Sequence, residues 1–501
     1  MSSVIEHTEF ATFLSTMQKK FEYLFNSKFD YNKLSLNRDL PADLLNEIMD
    51  LKPLSVAIPS IHGGRGAIVK ECLGVLSAAS YESLSLSLIF GINIALFLEP
   101  LAKYGDLSVQ ERIFKDFLEN KAMGGLMITE KAYGSDALNM QTSYTLEDDK
   151  YKIKGQKHWQ GLSGAADYWL ITARKRNDNG DLIRDIDFFV TENSIKEQHI
   201  PLVDRYNNLG LYAIPYGVNE IDIEVPVNQK LIPESIGIKL MLDTLHRSRL
   251  QFPGMGMGFL KRLLDETLKH TKNRKVSGLR LNELDSVRYQ LSRIEAAYTI
   301  CSGMCFHSSQ VSSIDNNLAS SAIDANSVKA LVTDLMQESA QIALQLSGAN
   351  GYRLDHYAGR AVVDSRPFQI FEGSNEMLYS QVAEGVLKAM RRAKQSNLLE
   401  FLKTYPLTEI AADRFSSSVN INIDSSLKQR DLVVIGKILA RIICLQFVLN
   451  MNAKGFNQGL VDITTEHMQM DVSMLIGQFT NRVKTDPLLE YQENADWISA
   501  L

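Results

Sequence analysis

Cysteine is scarce in this sequence. Four residues in 501, at Cys72, Cys301, Cys305 and Cys444, exclude a disulfide framework and suit a reducing compartment. Cys301 and Cys305 stand one helical turn apart, but no second Cys or His pair at ligand spacing accompanies them. They read as small buried apolar side chains rather than half a metal site. Proline is sparse as well, at 12, and no repeat organises the 30 glycines, which excludes a collagen-like or low-complexity chain. Charge of one sign is missing: 53 basic and 59 acidic residues leave a net charge of −6, with no surplus for nucleic acid or an anionic membrane. Long lipid-like runs are missing too. The most apolar stretch, residues 84–101, carries Ser85, Ser87, Asn93 and Glu99, so a buried helix is expected and not a membrane span. Glu6 and Glu9 stand where a signal peptide needs a basic start and an apolar run, which leaves a cytoplasmic protein as the expectation. No GxxxxGK[ST], HExxH or GxSxG motif occurs, and the nine histidines are scattered, so no metal is expected.

What is present is a change of period along the chain. Residues 1–122 read as a helical N-terminal domain: Pro41 opens an apolar helical pattern, a Pro- and Gly-rich loop covers 58–66, and apolar helices follow. Residues 123–230 read as a β domain. Tyr151-Lys152-Ile153-Lys154 and Ile221-Asp222-Ile223-Glu224-Val225 alternate with period two, while 168–173 and 186–190 are apolar runs of strand length. The helical period returns over 231–397, with segments at 240–272, 282–312, 321–347 and 374–396; the third stops at Gly348. Pro406 and Ser416-Ser417-Ser418 suggest a linker into an extension, 398–501, with further helices near 427–452 and 465–484. Nine basic and eleven acidic residues over 401–501 exclude a basic nucleic-acid tail. A β domain between helical blocks makes a crevice of the kind where cofactors sit.

Gly254-Met255-Gly256-Met257-Gly258 looks like a dinucleotide loop only superficially. It follows a helical pattern, not a strand, so small residues on one packed helix face are the better account. Three other stretches carry chemistry. Residues 127–136 offer hydroxyls and backbone donors in a Gly-containing turn. Gly155-Gln156-Lys157-His158-Trp159 puts an aromatic plane at a strand end. Phe371-Glu372-Gly373-Ser374-Asn375-Glu376 puts a carboxylate beside an apolar side chain, where it tends to keep its proton and act as a tuned base. Taken alone, Glu372 reads more simply as part of a helix start that Ser374 caps.

Taken together these stretches resemble the acyl-CoA dehydrogenase flavoprotein family over residues 40–395. Thr129-Glu130 with Gly134-Ser135-Asp136 is similar to its flavin and substrate loop, and Gly155-Gln156-Lys157 with Trp159 to its GxKxW strand. Asn208-Leu209-Gly210, Glu224-Val225-Pro226-Val227, Arg249, Leu264-Asp265-Glu266, Arg274-Lys275, Gln345 with Gly348, and Glu372-Gly373-Ser374 follow in the family's order. The resemblance implies an α+β fold of α–β–α order, with a C-terminal four-helix bundle and FAD bound between the β domain and the last helices. It also implies a homodimer or homotetramer. Glu372 would be the catalytic base. Thr129, Ser135, Trp159, Arg274, Gln345, Gly348, Ser374 and Glu376 would bind the cofactor. Ser135, Arg249, Phe371 and Gly373 would meet the substrate, an acyl thioester of coenzyme A or of an acyl carrier protein. Two electrons would pass on to an electron-transfer flavoprotein or another acceptor.

The sequence departs from the family pattern at Gly161, where Thr or Ser usually stands by flavin N5 and Ser163 is a candidate replacement, and at Lys131, Val276, Ser277, Val363 and Tyr212. These departures mark a divergent member and keep two other readings open. One is a flavin oxidase or monooxygenase using space opened at Gly161. The other is a non-catalytic scaffold or assembly protein.

Overall fold

The computed structural model describes residues 8–34, 36–423 and 427–481. The first block holds α1 (Phe10–Tyr23), α2 (Ala42–Met49), α3 (Val69–Glu82), α4 (Leu84–Tyr104) and α5 (Leu107–Glu119). Pro41 precedes α2, where its fixed φ suits the helix entrance. Ser83 divides α3 from α4, and its side chain accepts the Leu86 N–H as a cap. α4 is long and apolar enough to cross a membrane by composition, yet 94% of its apolar window lies inside the protein, as expected of a core helix.

The middle block holds β1 (Gly124–Met127), β2 (Ser143–Glu147), β3 (Lys150–His158), β4 (Tyr168–Lys175), β5 (Asp187–Glu192), β6 (Leu202–Arg205) and β7 (Gly217–Pro226). The sheet order is β1-β4-β2-β3-β7-β6, with β5 also on β4. β4 is covered on both faces, which is why it reads as a continuous apolar run. β3 and β7 form a long antiparallel ladder from Lys150 opposite Pro226 to His158 opposite Val218, which fixes where Trp159 leaves the sheet. The short strands β1, β2 and β6 escaped the sequence pattern because four or five residues are too few to establish a period of two.

The second helical block holds α6 (Gly237–Asn273), a hairpin of β8 (Lys275–Val276) and β9 (Leu279–Arg280), then α7 (Asp285–Val311), α8 (Ala322–Ser347), α9 (Tyr357–Ser365) and α10 (Asn375–Arg392). Ser277 and Gly278 both have positive φ, the requirement of the tight two-residue hairpin turn. α6 has 37 residues and a length of about 55 Å, at 1.5 Å per residue. Its glycines do the packing the sequence suggested. A Cβ on Gly258 would run into the Ser77 carbonyl of α3, and one on Gly254 would sit 3.1 Å from Leu73.

The extension adds α11 (Gln429–Asn452) and α12 (Gln458–Thr480). α12 starts earlier than its pattern indicated because the Asn457 side chain caps it, accepting the Leu460 N–H. The residues expected to be helical beyond 481 lie outside the described chain. The serine run is not a free linker: Ser416–Val419 forms a helical turn, and Ser418 pairs with Ser473 of α12 at 2.8 Å. α11 packs on α10, α7 and α8, so the extension closes the back of the bundle.

Candidate active site

Glu372 lies in the loop between Phe371 and α10, with a backbone φ of +52°. A left-handed conformation costs a non-Gly residue about 1–2 kcal/mol, so the surroundings must hold it there. They do so at successive carbonyls. Arg249 of α6 donates to the Glu372 carbonyl from Nε at 3.1 Å and from Nη2 at 2.8 Å, while its Nη1 reaches Asn326 at 2.7 Å. Lys329 of α8 donates from Nζ to the Gly373 carbonyl at 2.8 Å and to Asn375 Oδ1 at 3.1 Å. Burial pushes the Lys329 ammonium down to about 7, although Glu372 works in the opposite direction.

The carboxylate itself has two unlike oxygens. Oε1 accepts a hydrogen bond from Ser248 Oγ at 2.9 Å; Oε2 is shielded from solvent and has no hydrogen-bond partner among the described residues. Burial raises the pKa of this carboxyl, opposed by Arg249, Ser248 and Lys329. One oxygen is therefore oriented and the other is left available as a base in an apolar setting. Next to Glu372 in the chain, Phe371 packs 4.9 Å from Phe368 and 6.1 Å from Phe252, ring centre to ring centre.

A second group of predicted residues gathers at the sheet edge. Lys157 is fully buried and donates to the Ile128 carbonyl (2.9 Å), Glu130 (3.1 Å) and Thr172 (3.2 Å). Burial brings its pKa down to about 8. Burial also acts on Glu130, but Lys157 and the Gln141 and Thr142 N–H groups outweigh it and hold that carboxyl low. The Thr129 carbonyl is pinned by the His158 N–H at 2.8 Å and by Gln160 at 3.2 Å. Next in the chain, Trp159 takes φ +65°, stands 56% exposed and packs 4.3 Å from the Tyr206 ring. Ser135 is exposed on the neighbouring loop.

A third group lies at the far end of α6. Arg262, Lys269, His270, Asn273, Arg274, His356 and Tyr357 line a cavity of about 530 Å³ with Glu266 as its one acid. Arg274 is therefore in a basic concavity. The Tyr357 hydroxyl meets Ser347 at 3.1 Å, which brings in the end of α8, with Gln345 exposed and Gly348 open at φ +64°. This donor set fits a diphosphate, and Trp159 offers a face for a flat ring. The residues present thus fit an extended dinucleotide cofactor such as FAD.

Several expectations are adjusted. Ser374 takes the N-cap position of α10 but makes no side-chain cap bond, so it does not fix the helix start in the way the sequence suggested. Asn375 does that work, buried and bonded to the Ala330 carbonyl and Asp334. Glu376 is exposed. The Arg249 guanidinium lies beneath the base loop, engaged with Glu372 and Asn326. A Cβ at Gly161 would lie 2.6 Å from the tip of the Ile92 side chain, with Ile214 and Tyr216 close behind. Ser163 replaces nothing: its hydroxyl is taken by the Gln160 carbonyl and Asn219. Tyr212 sits between the guanidiniums of Arg38 and Arg360, at 4.9 and 4.6 Å, where a third arginine would be repelled. Ser248, Lys329, Asp334 and Asn375 were not singled out from sequence. For Lys329 a signal existed, a lone Lys inside the apolar run Val328-Lys329-Ala330-Leu331-Val332.

Comparison with known proteins agrees with this geometry. The acyl-CoA dehydrogenase middle domain matches residues 125–221 and the acyl-CoA dehydrogenase C-terminal domain matches 236–387. An acyl-CoA dehydrogenase of Bacillus subtilis (strain 168) is 22% identical over 344 residues, 68% of this chain and 88% of that protein. A caffeyl-CoA reductase–Etf complex subunit of Acetobacterium woodii is 23% identical over 361 residues, 70% and 91% of the two chains. An acyl-CoA dehydrogenase from Bacillus anthracis, solved in complex with FAD, superposes with a TM-score of 0.74 at 16% identity, covering 96% of this chain and 89% of its own. With its helical, β and helical blocks in the matching order, the chain belongs to the acyl-CoA dehydrogenase family.

Proposed function

We propose that this protein is an FAD-dependent dehydrogenase of acyl thioesters, forming the 2-enoyl thioester. The observation that carries the proposal is the split environment of Glu372: one oxygen held by Ser248, the other covered and unpaired. A free carboxylate is a weak base towards the α-carbon of a thioester. Each unit by which burial raises its pKa removes about 1.4 kcal/mol of that mismatch. Ser248 fixes the carboxyl orientation, so Oε2 can meet the α-proton without first breaking a bond. Phe371, next to Glu372 in the chain, packs with Phe368 and Phe252, an apolar cluster that would help keep water from the reacting carboxylate.

Bound FAD would supply the two-electron sink for the β-hydrogen. Trp159, Thr129 and Ser135 would hold its ring half. Arg274, Gln345 and Gly348 would hold the diphosphate half, belonging to a neighbouring subunit if the assembly is a dimer or tetramer. The Etf-complex subunit among the relatives supports an electron-transfer flavoprotein as the electron acceptor. The four unpaired cysteines suit a cytoplasmic setting.

The oxidase reading is separated by reoxidation in air: rapid peroxide formation by the reduced enzyme would favour it, and slow reoxidation would count against it. Stoichiometric FAD with a flavin spectrum would argue against the scaffold reading. The deciding experiment is anaerobic titration with acyl-CoA and acyl-carrier thioesters across chain lengths. Wild type should lose its flavin absorbance; Glu372→Gln should keep FAD and stop bleaching. Unchanged bleaching by that variant rejects Glu372 as the base.

A further inference from the structure

The loop that carries Glu372 is held on both shoulders by one residue. Asp334 of α8 accepts from Gln369, three residues before Glu372, and from Asn375, three residues after it, each at 2.7 Å and both on Oδ1. Its other oxygen accepts the hydroxyl of Tyr379 at 2.7 Å, a fully buried side chain one turn into α10. Asp334 thus ties the base loop to the first turn of the helix behind it.

That helix is in turn held from the extension. A Cβ on Gly436 of α11 would collide with the Tyr379 carbonyl, so the two backbones touch at that level. Lys437 lies 5.8 Å from the Tyr379 ring centre. One turn further along α11 is the largely covered Arg441. Arg441 is fixed from behind by Asp471 of α12 at 3.3 Å, and Asp471 also binds Arg293 of α7 at 2.7 Å. Hydrogen bonds run from Tyr379 through Asp334 to Gln369 and Asn375, and from Arg441 through Asp471 to Arg293; the two sets meet where Gly436 and Lys437 of α11 lie against Tyr379.

We infer that the C-terminal extension is a positioning element for the base: α11, through Gly436 and Arg441, seats α10 and Asp334 so that the Glu372 loop stays closed against water. This rests on Glu372 being the base, but its test does not depend on the substrate. Arg249, Ser248 and Lys329 are the groups that face the Glu372 carboxyl, and none belongs to the extension, so an effect from α11 must travel through α10.

The experiment uses the full-length FAD-loaded protein. The protonated-carboxyl carbonyl band of Glu372 is identified in infrared spectra by its loss in Glu372→Gln, then titrated in wild type, Gly436→Ala, Arg441→Met and Arg441→Lys. Gly436→Ala forces the two backbones apart at the cost of overpacking, so its folding is checked by circular dichroism, and Arg441→Met, which leaves that backbone contact intact, keeps the test independent of it. Arg441→Met leaves Asp471 paired with Arg293. We expect Gly436→Ala and Arg441→Met to move the midpoint down by about one pH unit towards the ordinary carboxylate range as the loop admits water, and Arg441→Lys to restore it. Midpoints equal to wild type in both variants, with only a lower melting temperature, would overturn the inference. Anaerobic bleaching with acyl-CoA thioesters is read in parallel. Absence of bleaching in wild type would reject the proposed reaction while leaving the infrared result to decide the positioning role.

Discussion

On the base side of the site, the Glu372 carbonyl takes two Arg249 donors, the Gly373 carbonyl takes Lys329, and Asp334 grips both shoulders of the loop. On the side proposed to hold the cofactor, Ser135, Arg274, Gln345, Gly348 and Glu376 stand exposed, and Trp159 is more than half exposed. The contrast has a physical reason. A base needs one fixed geometry and a dry setting, which only internal packing supplies. Residues that grip a large extended ligand must leave their donors facing outward.

Substitutions can break or sharpen that contrast. The largest effect is expected from Glu372→Gln, with turnover down about 10²- to 10⁴-fold, the range of a general base, and FAD content unchanged in the absorbance spectrum. Arg249→Leu removes two charge-assisted bonds to the left-handed residue and should lower turnover about 10- to 100-fold together with melting temperature, since such bonds contribute about 1.5–3 kcal/mol. A variant with normal turnover would show that the loop does not need its clamp. Trp159→Ala should behave oppositely, with FAD bound about tenfold more weakly through lost ring contact and little change in cofactor-free stability. Fluorescence titration with FAD checks it, and an equally large stability loss would erase the contrast.

Gly258→Ala lies away from both sides and should cost about 1–3 kcal/mol, as overpacking does, readable by denaturant titration. The smallest effect concerns Glu99, buried against Gln251, whose pKa is pushed up to about 7 by burial. The folded state holds this proton more tightly than the unfolded chain. Its contribution is therefore present below about pH 4.5 and lost as pH rises through about 7. Glu99→Gln should flatten the pH dependence of stability over that window, and an unchanged slope would show that Glu99 is not the group responsible.

Much of this was legible in the chain. The periods placed the long helices and four strands, and the spacing of Glu372-Gly373-Ser374 with the Thr129, Trp159 and Arg274 motifs pointed to the family. Other parts were misread for identifiable reasons. Ser374 looked like the cap because hydroxyls usually cap, but Asn375 found better partners in Ala330 and Asp334. At Gly161, in the turn after β3, a sequence does not show that the tip of Ile92 from α4 comes close.

The sequence by itself determined the α–β–α order and the succession of motifs that carries Glu372, Thr129, Trp159 and Arg274, because periodicity and motif spacing are local properties. Only the tertiary structure decided which oxygen of Glu372 is free, that Ser248, 124 residues away, orients the other, and that the extension closes the back of the base helix. Desolvation and hydrogen-bond partnership depend on what packs around a group, and Ser248, Arg249 and Lys329, which face Glu372, come from two helices, α6 and α8, far from it in the chain.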